Sequence, residues 1–210
     1  AVLEKFTPFL NKTDINIAEY FNYESAFISK KDKTRWAWNT SLILTGKKKK
    51  YLSKYIKEFS KSGLTVKTIR VDNDLMPLEE ISFRKQNYNI ERDSVWEEST
   101  LYDEMSRKFL WIVYKETNNK MCFLAKVFFW RMPTNDLLKI EKMWLEFKKL
   151  ILNKDFRSSY FLEDKDSICY LKIKDAKGGA NYEFNGYTLT SLSPWIRKNY
   201  VKNIITEITS

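Results

Sequence analysis

The chain has 210 residues, 43% hydrophobic and 16% aromatic, enough apolar side chain to offset the entropy of ordering one large domain or two lobes around a shared core. Its 37 Lys and Arg face 27 acids, a net charge of +10, and it has no histidine. That balance favours a polyanionic partner and excludes imidazole zinc sites, Ser-His-Asp and Cys-His chemistry and histidine acid/base catalysis. Any chemistry falls to carboxylates and lysines. The two cysteines, Cys122 and Cys169, lie in apolar surroundings and read as reduced core residues of a cytosolic protein, too few for a thiolate zinc site. No apolar run approaches the ~20 residues of a membrane span, and no charged-then-apolar leader opens the chain. Because it begins at Ala1 rather than Met, a fragment of a longer protein is the expectation.

In chain order, Thr13 is an N-cap candidate, with Ile17, Tyr20 and Phe21 spaced along one helix face. A mixed segment from Thr34 to Leu44 stops at Thr45-Gly46 and is followed by Lys47, Lys48, Lys49 and Lys50. Leu64 to Val71 alternates apolar and polar, which predicts a half-buried strand, and Asn73-Asp74 through Pro77 breaks it. Lys108–Lys115 and Cys122–Trp130 are β-favouring runs separated by Thr117-Asn-Asn, a central antiparallel pair. From Pro133 an amphipathic helix places Leu137, Ile140, Trp144, Phe147 and Ile151 on one face. A strand at Ser167–Lys174, a Gly178-Gly179 turn and a basic-aromatic tail, Pro194-Trp-Ile-Arg-Lys-Asn-Tyr, complete the chain. This order predicts an α/β domain with a mixed sheet.

Three places exceed what a plain core requires. Gly46–Arg70 carries nine basic residues and one acid, Glu58, and reads as a phosphate-facing surface or as a solvated helix face followed by a strand. Glu58 stands seven residues before Thr65, and Thr65 and Lys67 share one face of the predicted strand. Metal-dependent nucleases place a carboxylate upstream of a Glu-x-Lys strand, where two acids hold Mg²⁺ and the lysine positions the water. Here Thr65 stands where the strand carboxylate belongs, and a neutral hydroxyl does not replace a charged ligand for a hard dication. Third, Lys174 and Lys177 beside the Gly-rich turn, and Trp195, Arg197 and Lys198, combine cations with an aromatic that can lie against a base or sugar. A surface hairpin and a C-terminal amphipathic helix with Trp195 in the core stay open as the plainer account.

Gly63-Leu-Thr-Val-Lys-Thr-Ile-Arg-Val-Asp, followed by Pro77-Leu-Glu, resembles the catalytic strand and loop of the MutH family, where the pattern is Gly-Ile/Val-Glu-Leu-Lys-Thr-Ile-Pro-Val-Asp. Trp96-Glu-Glu-Ser, Phe109-Leu-Trp-Ile, the helix with Trp144, Tyr170-Leu-Lys-Ile-Lys and Ile196-Arg-Lys-Asn-Tyr resemble family segments in the same order. The resemblance implies a restriction-endonuclease-like (MutH-like) mixed β-sheet flanked by helices, forming one domain over residues 1–210 with room for two lobes about a cleft. Within that family it is most similar to the C-terminal effector half of GATC-cutting restriction enzymes built as tandems. The departures fall on the cutting centre: Glu58 replaces an Asp, Thr65 replaces the Glu, Leu42 falls where a helix Glu is expected and Met105 near an expected Lys. Only Lys67 remains, so Glu58, Thr65 and Lys67 are a degenerate remnant.

For reading GATC the family uses an Arg-Pro-Lys, here Lys174-Asp175-Ala176-Lys177, and its Tyr-Leu-Lys-Lys-Asn-Phe, a further DNA-contacting segment, is here Trp195-Ile-Arg-Lys-Asn-Tyr. The expectation is a catalytically inactive module without a metal of its own. It would bind duplex DNA containing GATC and stimulate a linked N-terminal nuclease domain that uses Mg²⁺. Lys47–Lys50 would clamp the backbone, and Lys174, Lys177, Trp195, Arg197 and Lys198 would contact DNA. Two alternatives stand beside it: an active nuclease recruiting Glu58, Asp72 and Glu79, and a basic protein–protein module.

Overall fold

The computed structural model describes residues 2–23, 35–47, 63–119, 121–153, 167–173, 181–184, 186–190 and 192–208, and these fall into two compact units. One unit comprises Ala1–Glu79 and Lys108–Arg131, the other Glu80–Arg107 and Met132–Ser210. Together they are a mixed α/β structure with a small mixed sheet and flanking helices.

In the first unit, two 3-10 turns (Leu3–Lys5 and Thr7–Phe9) precede helix α1, Asp14–Tyr20. Thr13 caps it as expected, its hydroxyl accepting the Asn16 N–H at 3.1 Å. The predicted face holds at Ile17, which is fully buried, and fails at Tyr20, which is 71% exposed. A helix this short turns fewer residues inward than its pattern offers, and Tyr20 packs edge-on against Phe9 and Phe21 instead. Helix α2, Arg35–Thr45, ends where Gly46 adopts φ +68° and donates its N–H to Leu42 at 2.7 Å.

Strand β1, Leu64–Val71, follows the alternating segment and pairs in parallel with β3, Lys108–Glu116. Strand β4, Cys122–Arg131, pairs antiparallel with β3, giving the order β1-β3-β4. The expected antiparallel pair is thus present, with β3 in the middle and β4 on its flank. Residues 109–114 of β3 are all buried, as a strand covered on both faces requires. Leu64, Leu110, Ile112, Tyr114 and Leu124 form a core with Ile17, Ile43 and Leu44.

The second unit contains β2 (Ile81–Ser82), α3 (Tyr88–Asp93), a 3-10 turn (Trp96–Glu98) and α4 (Thr100–Met105). It continues with α5 (Thr134–Leu152), β5 (Cys169–Ile173), the antiparallel pair β6 (Asn181–Phe184) and β7 (Tyr187–Thr190), β8 (Leu192–Ile196) and α6 (Lys198–Glu207). Helix α5 buries Ile140, Trp144, Phe147 and Ile151, while Leu137 is only half-buried. Phe147, Ile151, Tyr88, Leu171 and Leu192 make up a second core.

Strand β8 lies between β2 and β5, antiparallel to both. This corrects the placing of Trp195 in a C-terminal helix: it sits on β8, half-buried, and the helix begins only at Lys198. Pro194 cannot donate to a ladder, but its carbonyl accepts the Phe83 N–H at 2.9 Å. Both cysteines are buried free thiols, as expected, and burial pushes each up to about 12. No helix among the described residues is long and apolar enough to cross a membrane.

Glu91 is a fully buried carboxylate in this unit. It accepts from the Trp144 indole at 2.5 Å and from the Thr100 N–H at 3.1 Å. Burial raises its pKa, only partly opposed by those hydrogen bonds and by the charge of Lys148. The folded state therefore holds this proton more tightly than the unfolded chain. The stabilisation is complete below the ordinary glutamate range and is lost as pH rises through the raised value. In urea titrations, Glu91→Gln should retain an acceptor for Trp144 and flatten the decline in stability from pH 5 to pH 8. Glu91→Ala should cost about 1–3 kcal/mol at both pH values, because two buried donors lose their acceptor.

Candidate nucleic-acid interface

In the first unit, β1 and its register with β3 set the geometry. Thr65 lies opposite Phe109 and Lys67 opposite Trp111, so the two share the face of the sheet that carries the aromatic contacts of Phe109, Trp111 and Trp130. The other face of β1 looks to α2. There the Thr68 hydroxyl meets that of Thr40 at 3.3 Å, and the Arg70 guanidinium lies 4.1 Å over the Trp36 ring. Thr65 and Lys67 are both half-buried. Leu42 and Met105, at the positions of an expected acid and an expected lysine, are fully buried apolar side chains in their respective units.

Among the described residues, Asp72 and Glu79, the acids that a relocated site would recruit, are committed to structure. Asp72 caps its own turn, its Oδ1 accepting the Asp74 and Met76 N–H groups at 2.9 Å each, with Leu75 at φ +61°. Glu79 is ion-paired with Arg70, which also binds Glu116 at 2.6 Å. Burial works against the Arg70 charge, but these two carboxylates hold its pKa above the ordinary value. Among the described residues no group of three acids or thiols is placed to hold a metal ion. Among the described residues, the hydroxyl of Thr65 and the leucine in α2 offer no charged ligand for Mg²⁺ beside Lys67. Glu58 lies outside the described residues, as do Lys48, Lys49, Lys50, Lys174 and Lys177. Lys47 is exposed just beyond the end of α2.

In the second unit, the β2-β8-β5 sheet brings three of the residues expected to contact DNA, Trp195, Arg197 and Lys198, together with Tyr170 and Lys172 of the neighbouring segment and with Glu80, which the sequence did not single out. Trp195 on β8 pairs across to Tyr170 on β5 and to Ser82 on β2. Alternation then places Lys172, Tyr170, Trp195, Arg197 and Glu80 toward one side. Ile81, Ile196, Cys169 and Leu171 are buried on the other.

The charges and rings on this side touch one another. The Arg197 guanidinium lies 4.7 Å from the Tyr170 ring centre, and the Lys172 ammonium lies 4.8 Å over Trp195 and 5.9 Å from Tyr170. Lys172 reaches Glu80 at 3.1 Å. Lys198 opens α6, whose first turn contains no acid. The signal that could have found Lys172 is its i+2 spacing from Tyr170, matched by Trp195 and Arg197. Glu80 lies 92 residues from Lys172, beyond any local pattern.

A small mixed sheet flanked by helices is compatible with a restriction-endonuclease-like fold. No protein-family model matches the sequence. The chain aligns with the type II restriction enzyme Sau3AI of Staphylococcus aureus at 23% identity over 253 positions, which cover 99% of this chain and 51% of that enzyme. It is thus a distant relative of a type II restriction endonuclease and spans about half of that relative's length.

Glu80 reports on this cluster. Burial alone would raise its pKa, but hydrogen bonds from the Tyr170 hydroxyl and Lys172, with the charges of Lys172 and Lys198, hold it below the ordinary glutamate range. In a carbon-13 NMR titration the Glu80 carboxyl should therefore protonate at lower pH than a typical glutamate. Lys172→Met should move that midpoint upward. An unchanged midpoint in the variant would show that the pair does not form in solution.

Proposed function

We propose that this chain is a catalytically inactive effector domain of a GATC-specific type II restriction endonuclease. On this account it is built on the MutH-type fold, binds duplex DNA and stimulates cleavage by a linked N-terminal nuclease domain that uses Mg²⁺. The observation that carries the proposal is the neutral hydroxyl of Thr65 beside Lys67 on β1. The position next to the nuclease-type lysine has no charge for a hard cation, while the lysine and the strand remain. Similarity to about half the length of a type II restriction enzyme supports a domain that acts with another part of a larger protein. The net charge of +10 and the Tyr170, Lys172, Trp195 and Arg197 cluster support a phosphate-rich partner.

The effector role requires the bound DNA to favour one state of the whole enzyme over another, since binding both states equally shifts nothing. Recruitment of Asp72 and Glu79 into a relocated metal site is disfavoured by their engagement with the turn and with Arg70.

The test combines binding and cleavage by the chain. It should shift duplex DNA in a salt-dependent manner, bind GATC duplex more tightly than scrambled duplex and leave supercoiled plasmid intact in Mg²⁺ or Mn²⁺. Replacing Lys47–Lys50 with Gln should weaken binding to all sequences and reduce the salt slope by about three to four units, at ~0.9 per phosphate contact. Lys174→Ala or Lys177→Ala should instead narrow the difference between GATC and scrambled DNA. Plasmid nicking by the purified chain would overturn the inactive assignment, and salt-insensitive or absent duplex binding would overturn the DNA assignment.

A further inference from the structure

The carboxylate of Glu80 occupies an unusual position for a surface acid. Two donors from β5, the Lys172 ammonium and the Tyr170 hydroxyl, converge on it, and Lys198 adds its charge from the start of α6. Lys172 reaches it by lying across the Trp195 ring. The Tyr170 ring that supplies the hydroxyl also lies beside Arg197. Cations and a hydroxyl donor around one anionic group are what a nucleic-acid phosphate accepts, and the neighbouring Trp195 ring holds the Lys172 ammonium in place. The side chain of Lys172 is 48% exposed and that of Glu80 25% exposed, so this pair can be reached from solvent and its opening is inexpensive. Tyr170 itself is buried, and its hydroxyl meets an anion only at the place Glu80 now fills.

We propose that Tyr170, Lys172 and Lys198 form a binding subsite for one phosphodiester of duplex DNA, and that Glu80 occupies it as a built-in competitor. The inference rests on the DNA-binding function proposed above and extends it to a particular anion site. When a backbone phosphate arrives, the four-carbon stem of Lys172 swings from the carboxylate to the phosphate. Glu80 then faces the incoming charge and repels it. The free domain therefore binds non-specific duplex less tightly than its cations permit, and only a duplex held by further contacts displaces the carboxylate. No bond is made or broken; one anion exchanges for another on the same donors.

The experiment measures duplex affinity by fluorescence anisotropy as a function of salt, for the wild-type chain, Glu80→Gln, Glu80→Ala, Lys172→Met and the double variant Glu80→Gln/Lys172→Met. Glu98→Gln, an exposed acid on the 3-10 turn Trp96–Glu98, serves as the charge control. Both Glu80 variants should bind scrambled duplex about five- to tenfold more tightly at low salt, with a salt slope steeper by about 0.9, since Lys172 then neutralises a phosphate. The gain should vanish when Lys172 is Met, and Glu98→Gln should stay within about twofold of wild type.

Weaker or unchanged binding by both Glu80 variants would mean that the acid merely orders Lys172, and the inference would be wrong. A gain that survives in the double variant, or that Glu98→Gln reproduces, would reduce it to bulk charge and overturn it equally. Inorganic phosphate at matched ionic strength should displace duplex no better than chloride; strong competition would assign the site to free phosphate instead. If wild type binds duplex and the Glu80 variants show no gain, this inference fails while the proposed function stands. Binding by none of the proteins overturns both.

Discussion

The parallel pairing of β1 with β3 fixes which side chains of β1 share a face. Strand β3 is buried along residues 109–114, and β1 lies in continuous register beside it from Leu64↔Lys108 to Val71↔Lys115. A slip of one residue would turn Arg70 and Thr68 away from α2 and bring Thr65 and Lys67 toward it. The contacts of Thr68 with Thr40, and of Arg70 with Trp36, hold the observed register from one side. Thr65 and Lys67 therefore share a face for backbone reasons that do not depend on what they are. A strand fixed this way presents the residues at positions 65 and 67 side by side whatever their side chains are.

Arg70 organises the surroundings of that strand. The resembled pattern has proline at this position, which fixes φ but offers no charge. Arginine here gathers Glu79 and Glu116 and stacks on Trp36, binding the end of β1 to the loop after it, to the end of β3 and to α2. A planar guanidinium suits such a three-way arrangement better than an ammonium would. Glu79 is thereby tied into a structural pair, and Asp72 is likewise held by its own turn. The absence of a strand carboxylate and the commitment of its neighbours point in the same chemical direction.

Much of this was legible in the sequence wherever a single element carried its own signal. The alternation of Leu64–Val71, the β-favouring runs around Thr117 and the four buried positions of α5 each followed from local periodicity. The cap at Thr13 and the stop at Gly46 followed from side-chain and backbone chemistry. Strand β8 did not, because Pro194 and a run of basic residues argue locally for a helix start, while the strand depends on β2 and β5 lying on either side. Tyr20 misled for the related reason that spacing along a helix shows which residues could be buried, not how wide the covering surface is. Trp195, Arg197 and Lys198 stand together in one basic-aromatic stretch of sequence, whereas the pairing of Lys172 with Glu80 needed the folded sheet, since nothing local links residues so far apart in the chain.

That difference bears on how a net charge of +10 should be understood. Several cations answer to nearby acids: Arg84 to Asp103 and Glu104, Arg107 to Asp103, Lys139 to Asp136 and Lys149 to Glu146. At distances beyond the Debye length, about 8–10 Å in ordinary buffers, such pairs contribute little to the attraction felt by an approaching duplex. What distinguishes a cation that can serve a ligand is therefore not its count but whether its partner can be displaced. Around Arg84, Glu104 is nearly buried and also accepts the backbone N–H of Arg84, so exchange there would strand a carboxylate. Glu80 is reachable from solvent and is held by donors that a phosphate can use in the same way. On the proposed reading, specific grip and restraint against indiscriminate binding reside in one arrangement of four side chains, the strength of each set by how tightly the acid competes.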